Sequence, residues 1–419
     1  MSTLRLSSLW LLTFALVLRG SVCNACTTAV ISGKATVDGR PILWKNRDIS
    51  TTKNEVAYIN DGKYAVMAQV NAGARKSIWM GVNSAGLCIE NSLCKDLTGP
   101  EGSRGPGNGE FMLKALQECA TVDEVEKLLE ETNKSGRTTN GSFGVIDAGG
   151  GAVLFEAAPH KYVKFDANNP KDAPEGIIVR SNFSCTGQGF ECPPPADKLG
   201  AIYSAERYKR AAAILLPEAG RVDVKSLLRA CARDLSDAGG NPHPGSVNGA
   251  AGDLPEFVHT KNTISRTTTV SWAVFHGVKA GENPLLTTMW IGLGDPKFSA
   301  AVPCWVATAD VAAELVSKDK DGAPICIAVN ELRARFYDKD QDGVRTEGLP
   351  KIWRTLWPLE DELVERTAAK LTTWRETGVD PQSMRAIHVS AAEQVLANLN
   401  GLLKLLPAAK PVAVPAAAQ

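Results

Sequence analysis

"SVCNACTTAVISGKATVDGRPILWKNRD", Ser21 to Asp48, carries two kinds of sequence in one stretch. Its first residues close an export signal. Arg5 supplies a positive n-region, "LWLLTFALVL" (Leu9 to Leu18) an apolar h-region, and Cys23-Asn24-Ala25 puts small residues where signal peptidase inspects them. The apolar run is too short for a permanent membrane span. Cleavage after Ala25 is therefore expected to leave a secreted or periplasmic chain that starts at Cys26. Beyond it, "TTAVIS" and "PILWKNR" are rich in strand formers and flank Asp38-Gly39, a strong hairpin signal. The stretch thus places one cysteine first in the mature chain and first in a strand pair.

A residue in that position carries a thiol and a free α-amine together. An α-amine has a pKa of roughly 7.7 to 8.0, so it can serve as a base near neutral pH. A nucleophile with its own adjacent base needs no histidine. The chain has no Gly-x-Ser-x-Gly elbow, no His-Glu-x-x-His helix and no phosphate-binding glycine loop. Lipoprotein processing also cuts before a cysteine, and a lipid would block the thiol. That route normally wants an aliphatic residue where this chain has Cys23.

The 419 residues hold 46 Lys plus Arg and 46 Asp plus Glu, so no imbalance points to nucleic acid or an anionic membrane. A small molecule or short peptide is the expected partner, with no cofactor and no metal. Of the ten cysteines, Cys185 and Cys192 flank the turn-rich "TGQGFE" and form one candidate disulfide; Cys88 with Cys94 is another. With Cys23 and Cys26 set aside, the alternative is that several of the remaining eight are buried free thiols.

Strand patterns continue through "VAYIN", "YAVMAQV" and "SIWMGVN". Gly109 to Glu131 shows helical spacing in two consecutive segments. "GSFGVIDAGGGAVLFEAAPHKYVKFD" and "GIIVRSNFS" return to strands, then "IYSAERYKRAAAILL" and "DVKSLLRACARDLS" to helices. A Gly/Pro/Asn-rich loop follows from Asp237 to Pro255, then two long strands, "SRTTTVSWAVF" and "LLTTMWIGLG". After Pro303 the pattern is helical, and "PAAKPVAVPAAAQ" is a low-complexity tail expected to be disordered. Strands in runs and helices in pairs indicate an α+β layered domain.

Read together, "CTT" and "SGKATVDGRPILWKNRD" resemble the start of the N-terminal-nucleophile (Ntn) hydrolases with a cysteine nucleophile. The acyl-coenzyme A:6-aminopenicillanic-acid acyltransferase-like family and the choloylglycine hydrolase/penicillin V acylase group are the nearest in pattern, and dipeptidases with a Cys-Thr-Thr hairpin are similar. The resemblance implies a four-layer αββα sandwich over residues 26–305; beyond it the helical pattern makes 306–405 a C-terminal extension with no counterpart in the family, and 406–419 is the tail. It also implies roles. Cys26 is the nucleophile, and Asp48 holds its amine or thiol. Asn83 in "WMGVNSAGLCIENS" and Asn182 in "IIVRSNFS" are the oxyanion donors, and Arg266 is an active-site arginine. Lys45 stands where the choloylglycine group has arginine; with Arg47 it is assigned to substrate binding. Glu156 matches a glutamate that follows the family's Gly-rich turn.

The implied activity is cleavage of a linear carbon–nitrogen amide through an acyl-thioester, the substrate being a small-molecule amide or short peptide. Acyl transfer to an amine is the alternative, and a catalytically inactive secreted binding or envelope protein is the alternative of another class. Each residue also has a plainer reading. Asn83 suits a turn before Gly86, Asn182 a mid-strand hydrogen bond or the Asn-Phe-Ser glycosylation sequon, and Arg266 a simple ion pair. Lys45 and Arg47 suit solvated strand positions, and His259 and His276 structural ones. "DKDQDG" (Asp338 to Gly343) begins like a calcium loop, but its twelfth position is Leu349 rather than a bidentate glutamate. A helix-connecting turn is the expectation there.

Overall fold

Strand β1 (Ala25–Ile31) pairs antiparallel with β2 (Ile42–Asp48), in register from Ala25 opposite Asp48 to Ile31 opposite Ile42. Gly39 makes the turn between them at φ +73°, a conformation that favours glycine. The structure, a computed structural model, describes residues 25–240, 254–338 and 340–407. The export signal (except Ala25), most of the Gly/Pro/Asn-rich loop and the tail beyond Pro407 lie outside the described residues.

The next strands are β3 (Asn54–Ile59), β4 (Val66–Asn71), β5 (Met80–Asn83) and β6 (Cys88–Leu93). With β7 (Gly141–Ile146), β8 (Ala152–Ala158) and β9 (Lys161–Asp166) they form a seven-stranded antiparallel meander in sequence order. The first sheet has six strands in the order β10-β1-β2-β12-β13-β14, adding β10 (Ile177–Arg180), β12 (Thr269–His276), β13 (Thr288–Leu293) and β14 (Val302–Cys304). Alternation explains how the sheets meet, because successive side chains point to opposite faces. Val30, Leu43, Met67, Val82 and Leu154 share the core between the sheets.

Helices α1 (Asn108–Glu118) and α2 (Val122–Ser135) cover the meander. They are separate because the Thr121 hydroxyl takes the Glu124 N–H and starts a new helix. Their Phe111, Leu116, Val125 and Leu129 pack on Ile89, Phe143 and Phe155. The other sheet is covered by α4 (Ala205–Leu215), α6 (Pro324–Ala334), α7 (Leu349–Thr377) and α8 (Pro381–Leu405). Two shorter helices, α3 (Cys185–Gln188) and α5 (Val224–Ser226), lie among the connections. The result is an αββα sandwich, the α+β architecture that the sequence resemblance implied.

One boundary reads differently in three dimensions. The region from residue 306 onward is not appended to a finished domain: Ile325, Leu356 and Val395 share one apolar core with Trp272, Met289 and Val302 of the first sheet. These helices are the sandwich's second outer layer. Between α6 and α7, the "DKDQDG" stretch forms a β-hairpin. Strands β15 (Tyr337–Asp338) and β16 (Gly343–Arg345) pair there, and β11 (Phe257–His259) joins them. The Asp338 carboxylate accepts the N–H groups of Asp340 and Gln341, both at 3.1 Å, so it closes the turn.

Cysteine pairing also sorts itself. Cys185 and Cys192 are bonded. Cys88 and Cys94 are both free and buried. They lie at the start of β6 and just past its end, and six extended residues separate them by about 20 Å. No bridge can close along one strand.

Candidate active site

The site is built where β1 begins. Its nitrogen is the first feature: the Cys26 backbone N–H donates to Asn182 Oδ1 at 2.8 Å. That nitrogen is an amide in the uncut chain and stands in for the α-amine that cleavage after Ala25 would free. Arg207 Nη2 donates to the same Asn182 oxygen at 2.6 Å, and Asn182 Nδ2 donates to Leu93 O at 2.8 Å. Two donors on one side and a carbonyl on the other fix the amide's orientation. Asn182 therefore presents an acceptor to the Cys26 nitrogen, and its Nδ2 hydrogens go to Leu93 O and, at 3.3 Å, to Ser92 Oγ. This differs from the oxyanion-donor role expected from the sequence. It also sits past the end of β10 rather than mid-strand, and it is buried, so the sequon is closed to a glycan.

β2 distributes charge by its pleat. Asn46 and Asp48 face the helical layer, while Lys45 and Arg47 face the second sheet. The Asp48 carboxylate accepts the Thr269 hydroxyl at 2.6 Å. Its other oxygen has no hydrogen-bond partner among the described residues and lies 3.7 Å from Arg266 Nη1 and 4.0 Å from Arg207 Nη1. Burial pushes the Asp48 carboxyl up, and the Arg266 and Arg207 guanidiniums pull it back. Arg207 also reaches the Cys26 carbonyl and, at 2.9 Å, the Thr27 hydroxyl.

On the other face, Lys45 Nζ donates to Trp79 O at 2.8 Å and Asn91 Oδ1 at 2.9 Å. Thr28, two residues from Cys26, donates its hydroxyl to Glu90 at 2.6 Å. Gly144 stands opposite Glu90 across the β6–β7 pair, where a Cβ would collide with the carboxylate. Burial pushes the Glu90 carboxyl up to about 7, with Lys45 opposing. The Cys26 thiol is raised by burial, lowered by the Lys45 charge and raised by the Asp48 and Glu90 charges. Lys45 thus bears on the nucleophile's ionisation.

Arg47 is nearby but occupied. Its guanidinium donates to Asn54 at 2.7 Å and Asn71 at 2.9 Å, and stacks 4.4 Å over Trp79. Neither Lys45 nor Arg47 is a solvated strand residue.

Asn83 is the clear correction. It ends β5, and its Oδ1 accepts the N–H groups of Ala85 and Leu87, both at 3.0 Å. Its Nδ2 donates to Leu116 O at 2.8 Å and Cys119 O at 2.7 Å. All four bonds of the amide are spent on the β5–β6 turn and the end of α1. Along β6 it lies at the turn end, whereas Glu90 and Asn91 at the other end approach Lys45 and Thr28. It is a structural residue.

Glu156 is likewise structural. It pairs with Arg180 at 2.9 Å and accepts the N–H groups of Cys185 and Thr186, capping α3. It lies near the two bonded sulfurs of Cys185 and Cys192, which have no thiolate to offer a metal.

Sequence reasoning missed two participants. Arg207 sits on the core side of an amphipathic helix, with Ala211 one turn on, where a charge has to find a partner. Glu90 occupies an inward position of β6 between Cys88 and Ser92, all three buried. Both signals were present as charges out of phase with their pattern.

Asn182 also lines a cleft of about 330 Å³ with Leu93, Phe183, Ile202 and Tyr203. Among the described residues no helix is long and apolar enough to cross a membrane. No protein-family model matches the chain, and no curated protein matches it. Among solved structures, a mutant conjugated bile acid hydrolase from Clostridium perfringens aligns over 71% of this chain and 94% of its own, at 13% identity and a TM-score of 0.41. The Caenorhabditis elegans ortholog of N-acylethanolamine-hydrolyzing acid amidase aligns over 60% and 92%, at 15% identity and 0.37. Penicillin V acylase from Agrobacterium tumefaciens aligns over 67% and 85%, at 15% identity and 0.36. At these scores the similarities add nothing to the site's own geometry.

Proposed function

We propose that the chain is an exported amidohydrolase that uses Cys26, freed at its amine by cleavage after Ala25, to cut a linear carbon–nitrogen amide bond. The observation that carries this reading is the Cys26 nitrogen held by Asn182 Oδ1 beside Asp48, Arg207 and Arg266. A structural cysteine has no use for an anchored nitrogen flanked by a buried carboxylate with an unpartnered oxygen.

The steps follow from that arrangement. The α-amine takes the thiol proton as sulfur attacks the carbonyl carbon, forming the carbon–sulfur bond. The same proton passes to the leaving nitrogen as the carbon–nitrogen bond breaks, leaving an acyl-thioester on Cys26. Water then attacks the thioester with the amine as base, releasing the carboxylic acid and restoring the thiol. Asn182 orients the amine's lone pair toward the thiol by accepting one of its hydrogens. Asp48 with Arg207 and Arg266 sets the charge around the amine, and Lys45 favours thiolate.

An amine acceptor in place of water would make the same acyl-enzyme a transferase, and nothing in the site favours that outcome. The test is intact mass spectrometry of mature protein quenched during turnover of a panel of amides. A mass increase equal to the acyl group and located on Cys26 supports the reading. Turnover with no adduct in Cys26 peptides, or with Cys26 replaced, would refute it.

A further inference from the structure

We propose that Lys297 is a positioning residue for the site: with Arg333 it fixes the buried turn before β12 so that Arg266 stands beside Asp48. This rests on the amidohydrolase reading of Cys26.

The Arg266 guanidinium is not placed by hydrogen bonds at Nε or Nη1, since neither has a partner among the described residues. Its ion-pair neighbour, Asp48 Oδ2 at 3.7 Å from Nη1, is likewise without a hydrogen bond among them. Its other neighbour is the Tyr203 side chain, which is half exposed. The backbone therefore has to aim this side chain. That backbone, Ser265 to Thr267, is buried and lies outside the sheet ladder. Its carbonyls need donors.

Lys297 and Arg333 supply them from other elements. Lys297 Nζ donates to Ser265 O at 3.2 Å, Ser265 Oγ at 3.1 Å and Arg266 O at 3.0 Å. Asp295 Oδ1, 2.9 Å from the same nitrogen, balances its charge. Arg333, on α6, donates Nη2 to Thr267 O. Two cations thus hold three successive carbonyls. Lys297 is itself buried and pinned from α7, where Trp353 Nε1 donates to Lys297 O at 3.1 Å. An apolar side chain would fill this place without the desolvation cost of an ammonium. What the lysine adds is its grip on the turn.

That grip sets the charge beside Cys26. Burial raises the Asp48 carboxyl, while Arg266, Arg207, the Thr269 hydroxyl and Lys297 pull it down. Burial also raises the Cys26 thiol, Lys45 lowers it, and the Asp48 charge raises it again. Arg266 in place offsets part of the Asp48 charge. If the turn moves, Asp48 keeps Arg207 and stays ionised, but it acts more strongly on the thiol.

The test uses mature protein carrying Lys297→Met and, beside it, Asp295→Asn/Lys297→Met. The double variant removes both members of the buried pair, so no lone charge is left to oppose folding. Thermal unfolding verifies the fold. The pH–rate profile for iodoacetamide alkylation, read in Cys26 peptides, should move to higher pH by about one unit. Single-turnover acylation should fall about tenfold or more, with substrate affinity within about twofold of normal. A lysine that only stabilises the fold would change the melting temperature and leave the alkylation profile in place. A profile that stays in place in a folded variant, or moves to lower pH, would overturn the proposal. Alkylation needs no amide, so the two readings fail separately. A shifted profile in protein that cuts no amide would sink the amidohydrolase reading and leave the role of Lys297 standing; normal turnover with an unmoved profile would do the reverse.

Discussion

Asn83 and Asn182 carry the same side chain, are both buried, and lie in sequence contexts that suggested one shared role. The structure assigns them to different work. Asn83 makes four hydrogen bonds to backbone groups of its own hairpin and of α1's end. Asn182 donates to Leu93 and Ser92 and gives its oxygen to the nitrogen of Cys26 and to Arg207. An amide whose partners are all local backbone stabilises a turn. One that links Cys26, near the start of β1, to a helix on the outer layer organises a site.

The largest effect should come from the residue that Asn182 serves. Cys26→Ser keeps the nitrogen and its bond but weakens the nucleophile, so turnover should fall by about a thousandfold or more with the melting temperature little changed. Steady-state rates and thermal unfolding decide it; substantial activity in this variant would leave Asn182 holding an ordinary strand end.

Next is Asn182→Ala. Losing the group that orients the base should lower single-turnover acylation by about a hundredfold, in line with what a positioned acid–base group contributes, with little change in substrate affinity. Asn83→Ala should show the opposite pattern. Its loss leaves buried carbonyls and N–H groups unpaired, costing about 1 to 3 kcal/mol of stability in urea unfolding while acylation stays within a few-fold of normal. If the two variants exchanged these phenotypes, the contrast would be wrong.

The smallest effect concerns pH. Burial raises the Glu90 carboxyl to about 7. A carboxyl raised on folding contributes stability that is fully present below its ordinary pKa, about 4.3, and is lost as pH rises through about 7. Glu90→Gln removes that dependence. The stability of the wild type relative to the variant should therefore decline between about pH 4.5 and pH 7, as measured by urea midpoints. Removing the Glu90 charge should also speed alkylation of Cys26 by iodoacetamide at pH 8, since that charge raises the thiol. A flat difference across the range would show Glu90 to be solvated.

Much of the sandwich was legible because its cues are local. "TTAVIS" and "PILWKNR" put strand formers on both sides of Asp-Gly, and Gly109 to Glu131 has helical spacing in two consecutive segments; the structure has β1, β2, α1 and α2 there. The packing of the C-terminal helices was not legible. Their amphipathic pattern says that a face is buried, never which sheet buries it. Within the site, Cys26, Asp48, Asn182 and Arg266 do converge, since order along the strands carried that information. Arg207 and Glu90 had no such order to mark them, and their partners lie 181 and 62 residues away in sequence. The role of Asn182 depended on which end of its amide met the nitrogen, which is a matter of three-dimensional partners alone.

All of this presupposes that the nitrogen Asn182 holds becomes a free amine. N-terminal sequencing of the exported, active protein reads that directly. The account predicts a first residue of Cys26 with an unmodified amine and thiol. A start at any other residue, or a lipid on the Cys26 thiol, would contradict it.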